Sequence, residues 1–165
     1  MEEKGMYEVF GEFDSAQEIN MAAEGLKKEG DADGLYKLAE ENGIDKAFAE
    51  IYLADGILEL CDVATAAVGK IDIESVELKP TEIIRDWVEY IKAECMANDE
   101  LALAVRKKGK SLKGCIAELL KWSFKARYKI DKEIVKAAGI GNANVEMGIP
   151  GMGTAKKLIK EYYQR

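Results

Sequence analysis

Pro80-Thr81-Glu82-Ile83-Ile84-Arg85-Asp86-Trp87-Val88-Glu89-Tyr90-Ile91-Lys92-Ala93-Glu94-Cys95 is the most regular stretch of the chain. At about 100° per residue, Ile83, Ile84, Trp87, Val88, Ile91 and Cys95 fall in one arc, with Glu82, Arg85, Asp86, Glu89 and Lys92 outside it. An apolar stripe of this width needs a second apolar surface, so the stretch predicts helices packed on helices. Pro80 and Thr81 supply the start signal. Trp87 is placed in the core. Glu94, inside the arc, is expected at a helix boundary beside a basic neighbour.

The same logic extends upstream. Ser15 and Glu18 have capping-box spacing and open a helix to about Lys28, which Gly30-Asp31 stops. A second helix carries Leu35, Tyr36 and Leu38 and ends at Asn42-Gly43. Asp45 starts a third with Phe48, Ile51, Tyr52 and Leu53. Gly56 precedes a fourth apolar segment through Leu60, Val63 and Val68, and the alternation from Gly69 to Leu78 reads as a short strand or extended linker.

Downstream, Asn98 or Asp99 caps a short helix. Ser111 caps another to about Arg127, with Leu112, Cys115, Ile116, Leu119 and Leu120 inward, Lys113, Lys121 and Lys125 on the opposite side, and Trp122 and Phe124 at the boundaries. Asp131 and Thr154 begin the last two helices. The expected fold is mainly α, a compact assembly of about eight to nine helices with room for one short β element. The organisation divides into an acidic helical module at 1–78 and a basic one at 79–165, which can pack as one domain.

The chain has 165 residues, 48% apolar and 33% charged, enough for one domain that buries roughly two-thirds of its unfolded surface. The start, MEEKGMYEVF, is acidic and lacks a long apolar run, which predicts no signal peptide, no membrane anchor and a cytoplasmic location. Cys61, Cys95 and Cys115 are far apart and odd in number, and read as reduced core thiols. Histidine is absent. That removes Ser-His-Asp and Cys-His catalysis and imidazole metal sites, and no carboxylates show a recognisable metal spacing.

Charge is asymmetric. Residues 1–100 hold 26 Asp+Glu and 9 Lys+Arg, and residues 101–165 hold 5 and 15. Such a division suggests contact with a polyanion or a charged protein partner, or else two halves that neutralise each other.

Gly148-Ile149-Pro150-Gly151-Met152-Gly153 has G-x-x-x-x-G spacing, but Thr154 stands where a nucleotide-binding loop needs lysine, and the ATPase reading is rejected. Ile149 to Gly153 also resembles the helix-hairpin-helix turn that holds DNA phosphates on backbone N–H groups. It departs from that pattern in its following alanine and in its distance from the preceding helix. A tight turn with positive φ at glycine before a Thr-capped helix is the favoured reading.

Two segments, "GKSLKGCIAELLKWSF" from Gly109 and "AKKLIKEYY" from Ala155 to Tyr163, resemble the C-terminal region of small PcfK-like proteins. These occur on plasmids, conjugative elements and phages of Gram-positive bacteria, and some members are linked to inhibition of the CRISPR nuclease Cas9. Lys28-Glu29-Gly30-Asp31 and "LAEENGID" from Leu38 to Asp45 resemble an N-terminal helical module common on such elements. The resemblance implies a non-enzymatic anti-CRISPR-type inhibitor, without cofactor, that binds a CRISPR nuclease or its guide-RNA complex, Cas9 favoured, and blocks target DNA binding or cleavage. The alternative is an accessory protein of plasmid or phage maintenance that binds DNA or RNA backbone. The expected contact residues are Lys107, Lys108, Lys110, Lys113, Lys121, Lys125, Lys156 and Lys157, with no catalytic or metal residues.

Overall fold

Short polar side chains set most helix starts in the computed structural model of the chain, which describes residues 6–165. The opening Met1–Gly5 of the acidic start lies outside that range. In α1 (Ala16–Lys28) the Glu18 N–H donates to Ser15 Oγ (3.2 Å), and the Glu18 carboxylate accepts from the Asp14 N–H (2.7 Å). The capping box is present with its return bond one residue earlier than usual. Gly30, at φ 70°, turns the chain out of α1, and Asp31 caps α2 (Ala32–Glu41). Asp45 caps α3 (Lys46–Leu53), and Asp62 caps α4 (Val63–Leu78) through the Thr65 N–H (2.7 Å). After α5 (Glu82–Ala97), Asn98 caps α6 (Asp99–Arg106) through the N–H groups of Glu100 and Leu101. Then follow α7 (Leu112–Lys125), β1 (Tyr128–Lys129), α8 (Lys132–Ala137, capped by Asp131), β2 (Glu146–Met147) and α9 (Met152–Tyr163).

The described residues are therefore mainly helical, with nine helices and one antiparallel two-stranded sheet. Tyr128 lies opposite Met147 and Lys129 opposite Glu146.

Residues 69–78 correct the expectation of a strand or linker, because they continue α4. Their alternation misleads since Lys70 and Glu74, one helical turn apart, both face the interior with Ile71. Polar residues that a period of two assigns to solvent are here core-facing. The segment from Gly56 to Leu60 is also irregular, and the helix begins only at Val63.

The helices form two compact units. The first runs to Lys113, with Gln164 added, and the second comprises Gly114–Tyr163 and Arg165. In the first unit α4 packs against α1, α5 and α6, while α2 packs against both α1 and α3. Ile19, Ala23, Leu35, Leu38, Ala49, Leu60 and Ala66 form one apolar cluster. Trp87, Val88, Ile91 and Cys95 are buried on α5, as its periodicity requires. In the second unit the buried side chains include Cys115, Leu119, Val135, Ala155, Ile159 and Tyr163, and Arg165 lies 3.8 Å from Glu118. Leu120 departs from the expected inward arc of α7 and is 57% exposed.

All three cysteines are free and buried. Burial pushes the Cys61 and Cys95 thiols up to about 12, where the nucleophilic thiolate is scarce at neutral pH. Among the described residues no helix is long and apolar enough to cross a membrane.

Candidate functional site

Two core-facing charges on α4 organise the basic loop between α6 and α7. The Lys70 ammonium, 1% exposed, donates to the carbonyl oxygens of Lys107 (2.8 Å) and Lys110 (2.7 Å) and lies 3.2 Å from Glu12 Oε1. The Glu74 carboxylate accepts from the Leu112 N–H (3.0 Å), the seat at the start of α7 where an external anion would otherwise bind. Asp14 accepts from the Lys108 N–H (2.9 Å). Arg106, also buried, donates to Asn42 Oδ1 (2.9 Å), and the Asn42 amide donates to Leu38 O (2.9 Å). The acidic side chains thus bind the backbone of the loop and leave the Lys107 and Lys108 side chains exposed.

Burial dominates the titration of this cluster. Desolvation lowers the Lys70 pKa, opposed by Glu74 and Glu12, and raises that of Glu74, opposed by the Leu112 N–H, Lys70 and Arg106. Burial also takes the Tyr7 hydroxyl up to about 12, with the Arg106 charge opposing the rise.

The sign for Glu74 follows from linkage. The folded form holds its proton more tightly than the unfolded chain, so this group's contribution is present at low pH and lost as pH rises through the raised folded pKa. Lys70 is shifted downward, and its contribution is present above the ordinary lysine range and lost as pH falls. Glu74→Gln removes the first effect and, by taking away a charge that opposes the lowering of the Lys70 pKa, deepens the second, so both act in the same direction. Urea midpoints measured from about pH 4 to about pH 7 are expected to shift in favour of Glu74→Gln relative to the wild type as pH rises. A difference independent of pH over that range contradicts the assignment.

The structure distributes the eight lysines over both units. Lys107, Lys108, Lys110 and Lys113 belong to the first, and Lys121, Lys125, Lys156 and Lys157 to the second. All are exposed except Lys110, which is half-buried. Lys121 pairs with Glu118 (3.0 Å), and Lys157 lies 3.9 Å from Glu161. Trp122 is half-buried, whereas Phe124 points outward. Glu94 is half-buried, and its charge adds to burial in raising the pKa values of both Tyr90 and Cys95.

The glycine-rich stretch corrects the favoured turn reading. Gly148, Gly151 and Gly153 are not among the residues with positive φ, and α9 begins at Met152 rather than at Thr154. The Ala155 N–H donates to Gly151 O (2.9 Å), which closes the first turn. Gly148 is required by proximity instead, because a Cβ there would stand 2.7 Å from Ser123 O.

No sequence signal marks a groove of about 880 Å³ whose lining is acidic on balance, with Glu24, Asp55, Glu59 and Asp62 against Lys27 and Lys28. It lies between α1 and the loop at 54–62. The Asn20 amide donates to Cys61 O (2.8 Å) and its oxygen accepts from the Cys61 N–H (3.1 Å), while the Lys27 ammonium binds Tyr52 O (2.8 Å) and Asp55. Asp55 sits at φ 61°, a region aspartate tolerates. On this fastened loop Leu58 is 97% exposed, beside Glu59 and Asp62. Asn20 showed no signal in the sequence, since a polar residue on a helix is ordinary until its partner 41 residues away is known.

Among the described residues no group of three or more His, Cys, Asp or Glu side chains is placed to hold a metal ion. The charge division persists in the folded units, with 26 acidic and 14 basic residues up to Lys113 against 5 and 10 from Gly114 onward. Compared with family models, curated proteins and solved structures, the chain matches none.

Proposed function

We propose that the chain is a non-enzymatic inhibitor of a CRISPR nuclease, Cas9 favoured, encoded by a mobile element or phage, and that its acidic first unit competes for a basic nucleic-acid channel. The observation that supports this reading is the groove of α1 and residues 54–62, where an exposed leucine stands among carboxylates on a loop fastened at both ends. A channel built for nucleic acid attracts such a surface electrostatically, and the apolar tip adds contact area that excludes water. The test is target cleavage by Cas9–guide complexes titrated with the protein. Cleavage should cease near stoichiometric ratio with no covalent change in the nuclease. The double variant Leu58→Ala/Glu59→Lys, at exposed positions, should need at least about tenfold more protein, equivalent to about 1.4 kcal/mol. Cleavage that persists for several nuclease orthologues in molar excess of protein refutes the reading.

A second reading is a nucleic-acid-binding accessory protein of plasmid or phage maintenance. It is favoured by the twofold excess of basic over acidic residues from Gly114 onward. It requires binding of free DNA or RNA that weakens steeply with salt.

A further inference from the structure

We infer that residues 121–129 form a contact strip for single-stranded nucleic acid, in which Phe124 and Tyr128 stack on unpaired bases and the flanking cations hold the backbone. This deepens the second reading and rests on it. Lys121, Phe124 and Lys125 have i, i+3, i+4 spacing and share the outward face of α7. Phe124 is 72% exposed, an unusual position for a large aromatic ring that packing in the unit does not require. Leu120, one turn earlier on α7, is also exposed.

The helix ends at Lys125, with the Ala126 N–H donating to Trp122 O (2.9 Å), and the chain passes directly into β1. Arg127, just before that strand, and Tyr128 and Lys129 within it are all exposed. The Tyr128 hydroxyl donates to Ile149 O (2.9 Å), which fixes the ring without covering it. Two exposed rings and four exposed cations therefore occur within nine residues. Two carboxylates oppose them: Glu118 pairs with Lys121, and Glu146 stands opposite Lys129 in the sheet. Lys125 and Arg127 supply the surplus positive charge.

The interleaving decides the ligand. A protein-docking face gathers its apolar groups into one patch and pushes charges to the rim, whereas along residues 121–129 the exposed rings and cations alternate in the sequence. A duplex conceals its base faces within the stack, so rings exposed on the protein surface stack on unpaired bases. Stacking of this kind is tolerant of sequence, because every base has a π-face.

The test uses the full chain and fluorescence anisotropy with a labelled 15-nucleotide oligothymidylate and with a duplex of the same length, at about 50 mM and about 200 mM salt. The single strand should bind more tightly than the duplex. Phe124→Ala should weaken single-strand binding roughly tenfold to a hundredfold while leaving its salt dependence unchanged. Lys125→Gln/Arg127→Gln should reduce the salt dependence. Circular dichroism of Phe124→Ala should match the wild type, since the side chain lies outside the core. Equal affinity for strand and duplex, with no effect of Phe124→Ala, overturns the stacking inference and leaves the second reading standing. If neither nucleic acid binds at the lower salt, both fall.

Discussion

Gly43→Ala is expected to destabilise the first unit by about 3–5 kcal/mol, the sum of left-handed backbone strain and overpacking. Gly43 closes α2 at φ 65°, and a Cβ there would stand 2.2 Å from Gly69 O and 2.7 Å from Gly69 C and Cα. From the other side, a Cβ on Gly69 would stand 2.2 Å from Asn42 O. Both encounters are backbone against backbone, so no rotamer change relieves them. The two glycines let the end of α2 rest against the middle of α4, on the turn that also carries Lys70. Gly69→Ala lacks the strain of a positive φ but meets the same overlap, and should cost about 3 kcal/mol. Gly109 is the control. It has φ 87° with nothing within 4 Å of an added Cβ, so Gly109→Ala should cost only about 1–2 kcal/mol of backbone strain. Thermal melts check the order, with Gly43→Ala lowering the midpoint by roughly 10 °C. A Gly43→Ala midpoint equal to that of Gly109→Ala contradicts the close approach.

Lys70→Met is the second large effect. The substitution keeps most of the buried volume and removes the donor for Lys107 O and Lys110 O and the partner of Glu12. Breaking a buried charged cluster by deleting one partner typically costs about 3–5 kcal/mol, because the groups left behind remain desolvated. The loss should be local in its first consequence. Without Lys70 the loop from Lys107 to Lys110 loses two of its backbone anchors, and trypsin should cut there well before the rest of the chain. Removing also the buried Glu74 carboxylate, whose charge Lys70 offsets, should recover part of the loss. The double variant Lys70→Met/Glu74→Leu is expected to be about 1–2 kcal/mol more stable than the sum of the single changes. Additive effects, with trypsin cleavage of the loop unchanged, would show that the loop is held by other means.

The legible parts of the fold were those encoded by neighbouring residues. Ser15, Asp45, Asn98 and Asp131 cap helices that begin where these side chains predict, because a cap needs only the next few N–H groups. The arc of α5 places Trp87 correctly because its apolar spacing runs without interruption from Ile83 to Ile91. What failed depended on distant partners. Lys70 and Glu74 look like surface residues until the loop at 107–112 is brought over them, and that disguised the second half of α4 as a strand. The two-residue strands at Tyr128 and Glu146 are too short to carry any periodic signal.

The candidate surfaces divide in the same way. The exposure of most of the basic residues followed from their type. The acidic groove did not, because it requires the Asn20 clamp on Cys61 and the Lys27 contact with Tyr52, both set by tertiary packing. The helical angle places Phe124 at the edge of the buried arc of α7, and only the structure shows the ring facing outward.

The central claim is that the protein acts by presenting charged surfaces to a larger partner. Calorimetric titration of the protein into a Cas9–guide complex at two ionic strengths tests it most directly. Saturable binding at a fixed ratio is expected, weakening as salt rises and weakening further with Leu58→Ala/Glu59→Lys. Absence of binding at the lower ionic strength, or binding indifferent to both salt and those substitutions, contradicts it.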